Sequence, residues 1–370
     1  MPSQINGKKA NGSIFHFAIV AQASCLWGKG RLARFNERGN GTGKTPIHPT
    51  GKMPVRRLLL DHQEGIRNVG QNDSIAMIVV MNRSAGGADD PQARIVELFR
   101  MQGDDPRVVQ PNGAHDIAAV AREAAQSSER IVVVAGGDGT ISAVAAALAG
   151  TDKILGVLPV GTLNHFAKDL GIPLDLETAV RTIKDGAVVA VDVGEVNGRV
   201  FINNSSLGIY PQIVSRREAQ QERLARGKWP AFFWAAIQAL RRFPFLDLRI
   251  AFEGEEIFRR TAFLFVGNNE YEIAGFNLGS RTCINGGKLG LYLTHGTGRF
   301  GLFRLAFHAL FGRVDQAEDF DVFSVTEARI ETRKRRLLVA LDGEVERMET
   351  PLHYRTRPGA LQVLVPKPEV

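Results

Sequence analysis

The sequence predicts an α/β fold in which a parallel α/β domain is followed by a mostly antiparallel β-sandwich domain. Between residues 74 and 187, short apolar runs alternate with stretches of helical periodicity, which is typical of a parallel sheet covered by helices. After residue 187 this rhythm stops, and short strand-like runs follow one another with turn signals between them. Three segments that follow apolar runs in the first half are rich in glycine.

The first half contains predicted strands and helices in alternation, and we assign 74–187 to one domain. The strands are continuous apolar runs, as expected for strands buried on both faces, and they cover 74–82, 107–110, 131–135 and 154–160. The helices carry apolar residues at helical spacing and cover 91–102, 115–126, 141–150 and a segment that runs through Lys168.

The second half, 188–358, is interpreted as the β-sandwich domain. An Asn-Gly pair at 197–198 predicts a tight hairpin turn, and Gly254 predicts another. Further strands are expected within 246–269, 289–295, 320–332, 335–344 and 352–358, with helical interruptions at 215–241 and 299–313. The closing strand 361–366 fits either domain, so residues 359–370 are free to return to the first one.

The net charge of +7 resides in the first 73 residues. This segment carries eleven lysines and arginines against four acids, so the remainder of the chain is neutral. It shows no sustained period and is rich in Gly, Asn, Lys and Arg, which predicts a disordered basic tail. Because a basic tail says little about the folded part, we predict no nucleic-acid partner.

The composition is that of a globular protein, with 44% hydrophobic and 23% charged residues and no run of about 18 apolar residues. Cys25 and Cys283 lie far apart and indicate neither a disulfide framework nor a zinc site. The apolar run at 14–21 resembles an export signal but is short and broken by His16. The segment 39–45 imitates a P-loop without the flanking strand and helix. We therefore expect a cytoplasmic protein.

The strongest signal for chemistry is IVVVAGGDGTISAV at 131–144. A buried strand ends in Gly136-Gly137-Asp138-Gly139-Thr140, and a helix follows at once. Glycines let the backbone approach phosphate oxygens, and a helix start offers free N–H groups and the positive end of a dipole. Asp138 fits such a site if a Mg²⁺ ion or a hydroxyl lies between it and the phosphate. The alternative is a tight turn with a capping Asp or Thr.

Two further turns indicate the same edge of the predicted sheet. Gly161 and Thr162 follow the fourth strand, and the segment 82–87 follows the first one. Neighbouring parallel strands place such turns together, where ligands bind in open α/β sheets. The first domain is therefore predicted to bind a ligand with phosphate groups at this edge. Lys168 can reach a phosphate or solvate its helix, and a lone residue such as His165 is more often structural than catalytic.

Asp342 and Glu344, in the segment LDGE, are the candidate catalytic carboxylates. A carboxylate can take the proton of an attacking hydroxyl. A simple hairpin turn explains the segment equally well. Strand alternation would put both side chains on one face, but Gly343 between them leaves that geometry open.

Five segments of the chain carry a family resemblance: 82–86, GGDGTIS (136–142), PVGTLNHFAKDLG (159–171), NNSSLGI (203–209) and LDGE (341–344). Together, over about residues 75–366, they resemble the diacylglycerol kinase catalytic-domain family, and within it the bacterial soluble lipid kinases, which are related to sphingosine kinases and NAD kinases. The resemblance implies transfer of the γ-phosphoryl group of ATP, with Mg²⁺, to a lipid hydroxyl such as that of diacylglycerol. Such a step belongs to phospholipid metabolism and lipid biosynthesis.

The resemblance also implies roles for individual residues. Asp342 or Glu344 would act as general base, and Asp138 would organise Mg²⁺, directly or through water. Asp138, His165 and Lys168 would contact the substrate. The ATP-binding residues would be Asn82, Arg83, Ser84, Ala85, Gly86, Gly136, Gly137, Asp138, Gly139, Thr140, Ile141, Ser142, Gly161, Thr162 and Asn164.

Two segments depart from the family pattern. Where relatives often carry Asp-Asp-Gly-x-Leu-Asp, part of a structural Mg²⁺ site in some of them, residues 285–290 read NGGKLG, so that metal site is not expected. The threonine often found after the second strand is absent from 108–116, which removes one nucleotide contact. The first departure keeps a catalytically silent nucleotide- or lipid-binding regulator open. An NAD or polyol kinase of the same group is the other alternative.

The composition of segment 228–246 indicates that a lipid substrate enters the protein there. It is dense in large apolar side chains and flanked by basic residues, as in helices that lie on a membrane surface. Packing on the β-domain core explains the same pattern, because the segment is apolar on more than one face. We expect peripheral contact with the inner membrane face through this segment.

Overall fold

The computed structural model describes residues 76–81, 91–111, 117–208, 211, 245–274, 277–281, 283–294 and 320–367. Within these residues the helices are α1 (Pro91–Met101), α2 (Ile117–Gln126), α3 (Asp138–Leu148), α4 (His165–Asp169) and α5 (Leu176–Asp185). The strands are β1 (Met77–Met81), β2 (Arg107–Val109), β3 (Ile131–Gly136), β4 (Ile154–Pro159), β5 (Ala187–Val196), β6 (Arg199–Phe201), β7 (Asn204–Gly208), β8 (Leu246–Phe252), β9 (Glu255–Thr261), β10 (Phe263–Asn268), β11 (Tyr271–Ala274), β12 (Asn277–Arg281), β13 (Leu289–Thr294), β14 (Phe320–Val325), β15 (Glu327–Thr332), β16 (Arg336–Leu341), β17 (Glu344–Glu349) and β18 (Leu352–Val365).

The first part of the larger sheet is parallel and buried on both faces. Its strands run in the order β2–β1–β3–β4–β18–β15–β8–β9, with β5 paired to β18 and β6 to β5. Alternate residues of β1 enter two cores, one formed with α2 and α3 and the other with α1 and α5. The apolar runs of β1, β3 and β4 are continuous because both faces are covered. Each fully buried Val or Ile there contributes about 1.5–3 kcal/mol.

The last strand, β18, connects the parallel and antiparallel parts of this sheet. Its first residues pair antiparallel with β15, whereas Gln362 and Val363 pair in parallel with β4. It also pairs with β5 along most of its length, with a register shift between Arg357 and Leu361. The residues after this shift therefore lie within the sheet that carries the glycine-rich segments.

The second sheet is antiparallel and completes a β-sandwich. Its order is β14–β13–β10–β7–β16–β17, and its apolar side chains share one core with those of β8 and β15. The hairpin turns predicted at 197–198 and at Gly254 are confirmed, with positive φ angles at Asn197, Gly198, Glu253 and Gly254. The predicted combination of an α/β domain with an antiparallel β-sandwich is thus correct.

The structure differs from the sequence prediction at the start of α3. The helix was expected to begin at 141, but it begins at Asp138 because Gly137, in extended conformation, is already the N-cap residue. Several segments named above lie outside the described residues: 1–73, 82–87, 215–241 and 299–313. The same holds for 228–246 except for its last two positions. No helix among the described residues has the length and apolarity to cross a membrane.

Candidate active site

Two glycine-bearing turns touch at the carboxyl ends of β3 and β4. The two strands pair in parallel, with Gly136 opposite Pro159, so their following turns emerge side by side. A Cβ atom on Gly161 would lie 2.4 Å from the Cα of Gly137 and 2.8 Å from Oδ1 of Asn164. Such a distance to a backbone atom leaves no room for a side chain. The fold itself therefore requires glycine at 161.

Gly137 and Gly139 differ from Gly161, because the fold leaves room for a side chain at both. A Cβ on Gly137 would come no closer than 3.5 Å to another residue, and one on Gly139 no closer than 3.6 Å, to Oε1 of Glu344. Both are ordinary van der Waals distances. The missing side chains leave the first backbone N–H groups of α3 open to a ligand, a geometry that suits phosphate oxygens.

Asp138 holds the two turns together through its carboxylate. Oδ1 accepts a hydrogen bond from the backbone N–H of His165 at 2.7 Å, and Oδ2 accepts one from that of Asn164 at 2.9 Å. Asn164 is in the left-handed region at φ 52°, and its side-chain amide donates to the carbonyl oxygens of Pro159 and Gly161. Each carboxylate oxygen keeps a further lone pair, so the Mg²⁺ role of Asp138 remains a prediction.

Asp342 lies at the junction of the two domains, in the turn between β16 and β17. Its φ is 47° and that of Gly343 is 98°, which are values of a two-residue hairpin turn. Oδ2 accepts the hydroxyl hydrogen of Ser142 at 2.5 Å and the N–H of Ile202 at 2.8 Å. Oδ1 accepts the N–H groups of Asn203 and Asn204 at 2.8 and 3.0 Å. The hairpin turn that explains the segment LDGE and the candidate catalytic carboxylate are therefore compatible, because Asp342 is a residue of that turn.

Burial raises the pKa of the Asp342 carboxyl above its ordinary value, although the hydrogen bonds from Ser142 and from the three backbone N–H groups oppose this shift. Desolvation penalises the charged form, and this effect is the larger one. A carboxylate with a raised pKa is a stronger base than an exposed one. Asp342 thus combines a fixed position with increased basicity.

Glu344 is placed differently from Asp342. Its side chain is exposed at the start of β17, and its Oε1 is the atom nearest to a Cβ built on Gly139. Asp342 thus contacts Ser142 within α3, while Glu344 faces the beginning of that helix. Both carboxylates therefore lie against the first turns of α3, Asp342 from the hairpin turn and Glu344 from the start of β17.

The other sequence-predicted residues are divided between the core and the surface. The side chains of Thr140 and Ile141 are buried, so only their backbone groups can face a ligand. Thr162 and Lys168 are exposed and His165 is half-buried, all near the Gly161 turn. Residues 82–86 lie outside the described residues.

Sequence reasoning missed Arg281, whose side chain is only 1% exposed. Its Nε donates to Oδ2 of Asp169 at 2.8 Å, and its Nη1 donates to the carbonyl oxygen of Ile202 at 2.7 Å. The sequence did contain one indication of this contact, because Asp169 is an acidic residue within the motif PVGTLNHFAKDLG at 159–171. A single sequence does not show, however, which base partners that acid.

The loop 283–288 is held by hydrogen bonds and does not fit a structural Mg²⁺ site. The buried carboxylate of Asp192 accepts the backbone N–H groups of Gly287 at 2.7 Å and Gly359 at 2.8 Å. Within the described part of the chain, no three His, Cys, Asp or Glu side chains are grouped so that they could hold a metal ion. The loop offers no acid of its own, and its backbone contacts the carboxylate of Asp192 instead.

Comparison with known proteins identifies relatives over both domains. Residues 76–196 match the model of the diacylglycerol kinase catalytic domain, and residues 210–365 match that of the YegS C-terminal NAD kinase beta sandwich-like domain. A protein of Cronobacter sakazakii named "probable lipid kinase YegS-like" is 31% identical over 311 residues, which cover 77% of this chain and 98% of that protein. A diacylglycerol kinase of Bacillus subtilis is 28% identical over 261 residues, covering 68% of this chain and 83% of that protein.

A solved structure shows the same fold. The crystal structure of a diacylglycerol kinase from Bacillus anthracis superposes with a TM-score of 0.58, covering 80% of this chain and 98% of that chain. Its sequence identity is 20%, so the likeness concerns the fold alone.

Proposed function

The chain belongs to the family of diacylglycerol kinases and YegS-like lipid kinases, and we propose that it transfers the γ-phosphoryl group of ATP to the hydroxyl of a lipid such as diacylglycerol. One observation carries this proposal. The carboxylate of Asp342 accepts a hydroxyl hydrogen bond from Ser142, which lies in the helix that begins at the glycine turn. A base is thus next to the place proposed for the nucleotide phosphates.

The proposed mechanism rests on positioning and charge, as phosphoryl transfer generally does. The open backbone around Gly137 and Gly139 would bind the phosphates of ATP. Asp342 would accept the proton of the lipid hydroxyl, because it already accepts one hydroxyl hydrogen bond and burial raises its pKa. Glu344, which faces the start of α3, would orient the acceptor.

Mg²⁺ would arrive with the nucleotide and neutralise phosphate charge. Mg²⁺ is usually bound by one or two carboxylates and the substrate phosphates, and Asp138 lies at the turn where those phosphates would be. Its two oxygens keep lone pairs beyond the hydrogen bonds to Asn164 and His165. The site therefore fits an ion that is held mainly by ATP.

A phosphotransfer assay with γ-labelled Mg·ATP tests the proposed function. The acceptors are mixed micelles of diacylglycerol, monoacylglycerol, phosphatidylglycerol, sphingosine or ceramide, with NAD and a polyol as soluble acceptors. We expect label in a lipid product. Label in NAD or the polyol alone would replace the proposal by a soluble-substrate kinase, and ATP binding without transfer would favour a silent regulator.

We also propose that the protein is cytoplasmic and contacts the inner membrane face through 228–246, which lies outside the described residues except for its last two positions. A lipid acceptor has to be reached at a membrane surface, and the basic and aromatic composition of this segment suits such a surface. Phe233→Ser with Trp234→Ser should abolish flotation with anionic liposomes while the melting temperature is kept. Flotation equal to that of the wild type would contradict the proposed contact.

A further inference from the structure

Arg281 is a buried cation at the end of β12, close to the boundary between the two domains. Burial of a charge is costly unless good partners surround it. Besides Asp169 and the carbonyl oxygen of Ile202, its guanidinium reaches Oδ1 of Asn203 at 3.4 Å and lies 5.8 Å from the ring centre of Phe166. Each of these partners belongs to a segment that leads into the candidate site.

The first partner connects Arg281 with the second glycine turn. Asp169 is the last residue of α4, and Phe166 lies in the same helix. The N-cap and first residue of α4, Asn164 and His165, donate their N–H groups to Asp138 in the first turn. Arg281 therefore holds the far end of the short helix whose near end links the two turns.

The second set of partners connects Arg281 with Asp342. Ile202 and Asn203 accept hydrogen bonds from Arg281 through a carbonyl and a side-chain oxygen. The same two residues donate their backbone N–H groups to the carboxylate of Asp342. Arg281 and Asp342 thus grip one backbone segment from its two sides, and Asp342 in turn reaches Ser142 of α3.

We propose that Arg281 is a positioning residue for phosphoryl transfer, which keeps the N–H groups of Ile202 and Asn203 aimed at Asp342 and ties that carboxylate to the second glycine turn through Asp169. It acts through these residues and contacts neither ATP nor the lipid. The inference rests on the proposed function, since Asp342 is the base of that reaction. Arg suits this role because its planar fork donates in several directions at once.

Arg281 also has an electrostatic effect on Asp342. The guanidinium and the carboxylate attract each other, which favours the ionised form of Asp342. Tyr271 also interacts electrostatically with Asp342, Asp169 is the counter-ion of Arg281, and Glu344 lies two residues from Asp342. A neutral residue at 281 would therefore raise the pKa of Asp342 further, whereas lysine would keep the charge but lose the fork.

The experiment compares Arg281→Gln and Arg281→Lys with Arg259→Gln, a matched variant of an arginine that pairs with Asp321 in the β-sandwich domain. We expect Arg281→Gln to lower kcat about 100-fold, as displaced catalytic groups do, with the KM for ATP nearly unchanged. Its acid limb of kcat/KM should move to higher pH. Arg281→Lys should lose less activity and keep the wild-type limb, and Arg259→Gln should behave like the wild type.

Amide hydrogen exchange without substrate separates this inference from the proposed function. Exchange at residues 202–204 should accelerate in Arg281→Gln and not in Arg259→Gln, even if the wild type phosphorylates none of the acceptors tested. The inference would be overturned if Arg281→Gln had the kcat of the wild type and the same acid limb in its pH profile of kcat/KM. A loss of kcat that follows only a lower melting temperature, with exchange at 202–204 unchanged, would also overturn it. If Arg281→Gln does not fold, Asp169→Asn replaces it, with the same expected loss of kcat and faster exchange.

Discussion

At the scale of single residues, Asp342 has to satisfy a backbone and a chemical requirement at once. The first position of its turn needs a positive φ, which aspartate tolerates better than most residues. The same conformation aims its carboxylate at Ser142 and at the N–H groups of Ile202, Asn203 and Asn204. Asn at 342 would keep the turn but lack the basicity, which allows the two requirements to be separated.

Asp342→Asn should lower kcat by about 10²–10⁴-fold, the usual contribution of a general base, while ATP binding stays near wild type. The melting temperature should fall, because the asparagine NH2 group cannot accept the hydrogen bonds that one carboxylate oxygen accepts now, so kcat is measured well below the unfolding transition. Steady-state kinetics and nucleotide titration measure kcat and ATP binding. Glu346→Gln is the matched control, because Glu346 lies on β17, the strand that follows the Asp342 turn, and pairs with Arg199 away from Ser142. Full activity in Asp342→Asn would assign the base to another residue, with Glu344 the next to test.

The pH dependence of kcat/KM reports the pKa of the base in the free enzyme. Burial raises the pKa of Asp342 in the folded protein. The carboxyl therefore becomes protonated, and unable to act as a base, at a higher pH than an ordinary aspartate does. Activity should therefore fall as pH decreases through this raised value. Asp342→Asn should remove this limb from its residual activity. A limb at the ordinary aspartate value would contradict a base buried in this way.

At the scale of elements, the two glycine turns serve different purposes although their sequences look alike. Gly161 is required by packing against Gly137, whereas Gly139 lacks a side chain where the fold would accept one. Because α3 begins at Asp138, the free N–H groups of its first turn belong to residues that the sequence predicted as a turn. The strand–glycine–helix pattern thus contains one glycine that packing requires and another at which the fold leaves space beside the helix start.

Gly161→Ala and Gly139→Ala should therefore differ in their effects. Gly161→Ala forces a Cβ against backbone and should destabilise the protein by about 1–3 kcal/mol, as overpacking does, and also weaken ATP binding. Gly139→Ala should keep the free energy of unfolding within about 1 kcal/mol, the cost range of a helix-terminal glycine, yet weaken ATP binding. Denaturant unfolding and nucleotide titration measure the pair. Equal stability losses in both variants would contradict the distinction.

At the scale of the whole molecule, the strand β18 and the buried acid Asp192 are among the features that join the two domains. β18 pairs with β15 of the β-sandwich domain and with β4 of the α/β domain. Asp192 holds loop 283–288 through Gly287 and holds β18 through Gly359.

We therefore expect that the melting temperature without nucleotide is the same in EDTA and in Mg²⁺. Asp192→Asn should destabilise the protein by about 3 kcal/mol in both, since two hydrogen bonds to a buried carboxylate are weakened. Asp247→Asn, a change at an exposed carboxylate, is the control. Thermal unfolding checks both variants. A large rise of the wild-type melting temperature on addition of Mg²⁺ alone would contradict the absence of a structural ion.

The sequence by itself determined what depends on neighbouring residues. The continuous runs of β1, β3 and β4 fixed the parallel sheet, the Asn197-Gly198 pair fixed a hairpin, and the glycine motifs marked the edge where β3 and β4 end. Such signals are local, because strand burial, turn conformation and helix starts depend on a few consecutive residues.

Only the tertiary structure decided which distant groups meet. It placed Asp342 against Ser142, buried Arg281 between Asp169 and Ile202, and brought the end of β18 beside β4. These contacts join residues about 80 to 200 positions apart, and no periodicity in the chain encodes them. Packing of the three described sheets and five described helices selects those partners, since a buried charge is stable only where the fold supplies its counter-charge and hydrogen bonds.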